Sequence, residues 1–168
     1  MRQIKDIKNK IEWEEYYDPT FNWNNLDLYR KNKLTENFIR EFKDKVNWRE
    51  ISGFQTLSED FIREFKDSVY WHNISIAQTL SEEFIREFKD KVSWNFVCIH
   101  QKLSEDFIRE FKDYVKWSYI THYQKLSIDF IREFKDKVDW YWISYWLPEY
   151  QMLSKSFKEE FKKELCDL

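Results

Sequence analysis

The chain is 168 residues long, with 42% hydrophobic side chains, 35% charged side chains and a formal net charge of −3. That balance excludes a disordered tail, and no run approaches the ~20 apolar residues of a membrane helix. Mild acidity argues against bulk attraction to nucleic acid or to an anionic membrane.

One glycine and two prolines cannot punctuate a many-turned sheet, and they leave no glycine-rich phosphate loop, so the chain reads as all-α. Cys98 and Cys166 are too few for a disulfide framework, and "MRQIKDIKNK" has no secretory apolar run, so an intracellular setting is expected.

In chain order, Ile4, Ile7 and Ile11 suggest a worn first helix, Asp18-Pro19 a break, and "FNWNNLDLY" (Phe21–Tyr29) a worn second helix. Together these form a degenerate N-terminal cap over residues 1–33. From Leu34 the chain is periodic: Leu34, Leu57, Leu80, Leu103 and Leu126 lie 23 residues apart, as do Trp48, Trp71, Trp94, Trp117 and Trp140. A period of this size marks a solenoid of stacked helix–turn–helix units that cannot bury their apolar faces alone. Residues 34–152 are read as five such units.

The first helix of each unit opens on a hydroxyl (Thr35, Ser58, Ser81, Ser104, Ser127), which can accept from the free N–H groups of the first turn. In "LSEDFIREFKD" (Leu57–Asp67), Leu57, Phe61, Ile62 and Phe65 form one buried face. The charged letters read as a solvated face with Glu59–Arg63 and Arg63–Asp67 pairs.

The second helix, expected over Asn47–Gln55 and its equivalents, carries a constant set: Trp71, Ile74, Ser75 and Gln78 in one unit, Trp117, Ile120, Thr121 and Gln124 in another. These four fall on one side of a helix, with the small residue expected to let a neighbouring helix approach. With ~10 residues each, such helices depend on stacking for stability. The opposite side varies from copy to copy. It reads Arg49, Glu50, Gly53, Phe54; then His72, Asn73, Ile76, Ala77; then Asn95, Phe96, Ile99, His100. Two further sets are Ser118, Tyr119, His122, Tyr123 and Tyr141, Trp142, Tyr145, Trp146. Unconstrained drift on a wet surface favours Lys, Glu, Gln and Ser. The rings found instead, more numerous toward the C-terminus, point to an interface with a protein partner, with packing on the chain's own ends as the alternative.

The chain ends on "LSKSFKEEFKKEL" (Leu153–Leu165), where Lys158 replaces the isoleucine of the pattern, as suits a capping helix with a neighbour on one side. It arrives 27 residues after Leu126, and the insertion contains Leu147-Pro148. The expected organisation is therefore a cap (1–33), five hairpins (34–152) and a C-terminal helix (153–168).

No catalytic, metal or cofactor constellation emerges. His72, His100 and His122 stand at non-equivalent positions without ligand spacing, and Cys98 takes the Ser/Thr core position. The partner-binding candidates are Phe54, His72, Phe96, His100, Tyr119, His122, Tyr123, Tyr141, Trp142, Tyr145 and Trp146. Two rivals stand behind protein binding: self-assembly with a second copy, and single-stranded RNA stacking on the rings. The second is disfavoured because Arg49 alone on that face is firmly cationic.

The unit "LSEDFIREFKDKVxWxxISxxQK" resembles the short, nearly identical repeats in paralogous protein families of giant nucleocytoplasmic DNA viruses, and at fold level the TPR-like helical hairpin. The resemblance runs from Leu34 to about Gln151, with Phe-Ile-Arg-Glu-Phe and Val-x-Trp its specific elements. It implies an intracellular protein of an infected host cell, one variant on a common scaffold, without catalytic residues.

Overall fold

The computed structural model describes residues 6–7, 15–146 and 159–162, with backbone alone at 6–7 and 144–146. It is helical, with successive helices packed as in a helical repeat. Two compact units divide it, residues 1–93 and 94–168.

In the first unit, a two-residue strand β1 (Asp6–Ile7) pairs in parallel with β2 (Lys33–Leu34). The helices are α1 (Leu26–Lys31), α2 (Glu36–Glu41), α3 (Trp48–Phe54), α4 (Glu59–Glu64), α5 (Trp71–Ala77) and α6 (Glu82–Glu87). Those of the second unit are α7 (Trp94–His100), α8 (Glu105–Glu110), α9 (Trp117–Tyr123), α10 (Ile128–Glu133) and α11 (Trp140–Trp146). Among the described residues no helix is long and apolar enough to cross a membrane.

The hydroxyl caps form as expected. Thr35, Ser58, Ser81, Ser104 and Ser127 each accept the N–H of the phenylalanine three residues on. The helices are six or seven residues long rather than ten, because each first helix closes at a phenylalanine cap and gives way to turns. Phe38, Ile39, Phe61, Ile62, Phe84 and Ile85 are fully buried in the first unit, and Phe107, Ile108 and Phe130 in the second.

The N-terminal expectation needs correcting. Ile7 lies in a strand, consistent with the β preference of isoleucine; Ile4 and Ile11 lie outside the described residues. The worn second helix is Leu26–Lys31, not Phe21–Tyr29. Asn22 and Asn25 side chains accept the backbone N–H groups of Asn24 and Asp27, which turns the chain before the helix starts. Tyr29 therefore stands where later copies have the small residue. Its hydroxyl donates to the Trp23 carbonyl and accepts from Asn47 N, both at 2.8 Å. The Trp23 ring packs on Phe42 with centroids 5.0 Å apart, as Trp48 does on Phe65 at 4.8 Å.

Most of the expected C-terminal cap, including Ser154, Phe157 and Lys158, lies outside the described residues, as does Pro148. Phe161 is buried against the Trp140 ring at 5.0 Å, and Glu160 pairs with Arg132 at 3.0 Å. The same pairings occur one copy earlier, between Trp117 and Phe134 and between Arg109 and Glu133.

Candidate functional site

The constant side of each second helix is tied to its neighbours by buried hydrogen bonds. Ser75 Oγ donates to the Trp71 carbonyl at 2.7 Å and accepts from Ser93 N at 2.9 Å. Ser52 and Thr121 do the same with Trp48 and Tyr70, and with Trp117 and Asp139. The small residue is thus a two-way bridge and not merely a spacer. At Cys98 the sulfur accepts from Lys116 N, and burial raises the thiol pKa, which keeps it protonated and unreactive.

Gln78 is the second bridge. Its Oε1 accepts from Leu57 N at 3.0 Å, and its Nε2 donates to the carbonyls of Ser52 (3.2 Å) and Gln55 (2.8 Å). Gln55 and Gln124 repeat the arrangement on Leu34, Tyr29 and Asn32, and on Leu103, Cys98 and Gln101. These bonds satisfy helix-end carbonyls that would otherwise be buried without partners. Sequence reading placed the glutamines on the right face but assigned them no task. Their recurrence as a polar residue on an apolar stripe was the available signal.

Cys98 offers a direct check on the hydroxyl bridge. In Cys98→Ser the oxygen should regain the donated bond to the Trp94 carbonyl, raising stability by about 0.5–1 kcal/mol, and Cys98→Ala should lower it. Thermal melts decide the matter, and a clear loss in the serine variant would show that sulfur packing outweighs the bridge.

The charged string is exposed or half-exposed and salt-bridged as expected, with Glu59 pairing with Arg63 at 3.7 Å, and it also bonds to the neighbouring copy. Arg63 Nε reaches Glu87 at 2.7 Å, its Nη1 reaches Asp60 at 2.9 Å, and its guanidinium lies over the Phe84 ring at 5.0 Å. Glu59 accepts from Ser81 N at 2.6 Å. The Arg63–Asp67 pair is replaced: α4 stops at Glu64, and Asp67 meets Lys91 at 2.8 Å instead. That hydrogen bond holds the Asp67 carboxyl below its ordinary pKa.

The variable side is exposed or half-buried throughout its described positions, and it differs between the two units. In the first unit it is knitted by polar contacts. Arg30 lies over the Phe54 ring at 4.7 Å and pairs with Glu50 at 3.4 Å. Asn73 Nδ2 donates to the Arg49 carbonyl at 3.0 Å, and Gly53 leaves that amide room, since a Cβ there would stand 3.1 Å from Nδ2. His72 and Phe54 are exposed, Phe54 at 52%. Sequence reading missed Leu26 and Arg30, which stand 23 residues before Arg49 and Gly53; the period itself was the signal.

In the second unit the described variable side holds no acid, lysine or arginine. Phe96 stacks on His100 at 6.0 Å. His122 meets Trp142 edge-on at 3.8 Å and Tyr123 at 4.2 Å, while Tyr119 reaches Tyr123 at 6.3 Å and Tyr141 reaches Trp142 at 5.3 Å. Tyr123 and Tyr141 remain 49% and 58% exposed, whereas Phe96, Tyr119, His122 and Trp142 are half-buried. Tyr145 and Trp146 lie on α11, with side chains outside the described residues. Tyr114, not foreseen, covers the Trp94 ring at 5.2 Å, as Lys137 covers Trp117 at 5.7 Å.

Among the described residues no three His, Cys, Asp or Glu side chains gather where a metal ion could be held. Comparison with protein-family models, with curated proteins and with solved structures gives no match.

Proposed function

We propose that the chain is a non-catalytic α-solenoid of αα-hairpin repeats, about 23 residues each, whose second helices present a variable aromatic face to a protein partner. One observation carries the reading. On the second helices the constant Ile or Val and the small residue are buried, and the small residue and Gln bridge to neighbouring copies, while the variable positions are exposed or half-exposed and, in the second unit, carry rings without charge. Scaffold and recognition are thereby assigned to opposite sides of the same short helix. Rigid rings on a fixed frame bury much area on binding at small entropic cost. The reading includes, from the resemblance of the repeat unit to viral repeat proteins alone, a partner met inside an infected cell.

Tyr123 and Tyr141 are the positions on which to test this, because their rings are exposed. The double variant Tyr123→Ser/Tyr141→Ser should lose partner capture from cell extracts while its Tm falls by no more than about 2–4 °C. A larger fall would make these rings part of the core. Sedimentation of the unaltered chain at micromolar concentration identifies the other possible occupant: a dimer lost in the variant would make a second copy the partner.

A further inference from the structure

The aromatic face of the second unit is bordered by lysines that the repeat does not require. Position 102 lies in the extended link between α7 and α8, where Gln101 and Leu103 point inward and Lys102 is exposed. Lys125 holds the same place after α9, and Lys116 stands exposed at the N-terminal end of α9, where its side chain makes no cap. In the first unit the corresponding links carry Lys33, Thr56 and Thr79, so lysine is not required there by the frame.

Their lack of partners is equally informative. In this unit Arg109 is held by Glu105, Asp106 and Glu133, and Lys137 by Asp113. Lys102, Lys116 and Lys125 meet no acid among the described residues. The acid nearest the face in sequence, Asp139, is occupied in capping α11, where it accepts from Tyr141 N at 3.1 Å. An uncharged aromatic surface with an unneutralised cationic border, in a chain of net charge −3, is complementary to an apolar ligand bearing negative charge.

We infer that this face docks an acidic peptide segment, with apolar or aromatic side chains on the rings of Tyr119, Tyr123, Tyr141 and Trp142 and carboxylates on Lys102, Lys116 and Lys125. The inference rests on the protein-binding reading and names the partner's chemistry. Helices α7 and α9 pack against each other, which places their axes ~8–10 Å apart. Carboxylates about three residues apart on an extended peptide span that distance. Peptide is favoured over single-stranded nucleic acid because three lysines are few for a phosphate at every nucleotide.

A display library of random peptides panned against the full chain supplies the probe. Enriched peptides should combine aromatic or aliphatic residues with net negative charge. Lys102→Glu/Lys116→Glu/Lys125→Glu, which touches no buried group, should bind them about tenfold more weakly at low salt, with an unchanged melting curve. Enrichment without charge preference, abolished by Tyr123→Ser/Tyr141→Ser, would overturn the acidic partner and leave protein binding standing. Peptides indifferent to both variants, or no enrichment, would overturn both. Oligouridylate that binds and displaces the selected peptides would assign the face to nucleic acid instead.

Discussion

Replacing Gln78 with alanine should lower stability by about 3 kcal/mol, a fall of roughly 6–12 °C in Tm. The side chain is 5% exposed and satisfies three backbone groups that no water can reach without opening the stack: Leu57 N, Ser52 O and Gln55 O. Each group left unpaired costs about 1–3 kcal/mol. Gln78→Met separates the hydrogen bonds from the volume, because methionine fills the same space and forfeits both polar ends. Its loss should approach that of alanine. A methionine variant as stable as the unaltered chain would show that packing, not the bridge, is what the position supplies. Gln78→Glu keeps the acceptor but turns a carboxylate toward two carbonyl oxygens, so it should fare no better.

The glutamines also mark where the sequence was readable and where it was not. Periodicity alone located every second helix from Trp48 onward and separated its two sides, since a constant residue must meet a constant neighbour. Hydroxyl caps were legible because an N-cap is a local event confined to one turn. What Gln78 and Ser75 do was hidden, because their partners lie 18 to 26 residues away and come within reach only when copies stack. The charged string was read only in part for the same reason: the Glu59–Arg63 pair forms, but the bonds to the next copy were not foreseen. Local spacing pairs Arg63 with Asp67, whereas the stacked neighbour offers Arg63 a glutamate and a phenylalanine ring and offers Asp67 a lysine.

The N-terminal register was lost by two residues because Tyr29 reaches with a ring for a bond that serine makes with one carbon. At the candidate face, the rings of Tyr123 and Tyr141 were legible as variable aromatics. The collapse of His122 onto Trp142 was not, since it joins side chains of two different copies.

Phe84→Ala should be the most damaging single truncation in the first unit, at about 3–5 kcal/mol. The ring is fully buried and lies 4.8 Å from Phe88 and 6.1 Å from Trp71, beneath the Arg63 guanidinium. Truncation opens a cavity that six-residue helices pinned at both ends cannot collapse to fill. It also removes the floor under Trp71, whose indole N–H is fixed to the Lys66 carbonyl at 2.9 Å and cannot follow.

Trp71→Ala should cost less, because that ring is half-buried. The double variant should therefore fall short of the sum of the two single losses by about 0.5–1.5 kcal/mol, the coupling of an aromatic pair. Denaturant melts of the four proteins give that coupling directly. Strict additivity would mean that the tryptophan packs on Phe88 alone, at 4.7 Å, and that neighbouring copies are held chiefly by the glutamine and hydroxyl bridges. A positive coupling would place the stacking energy in the Trp–Phe contacts, which recur in the second unit between Trp117 and Phe130 at 6.2 Å. In that case the invariance of tryptophan beneath a variable face has a physical cause: the rings of the variable face can change freely only while the rings that stack do not.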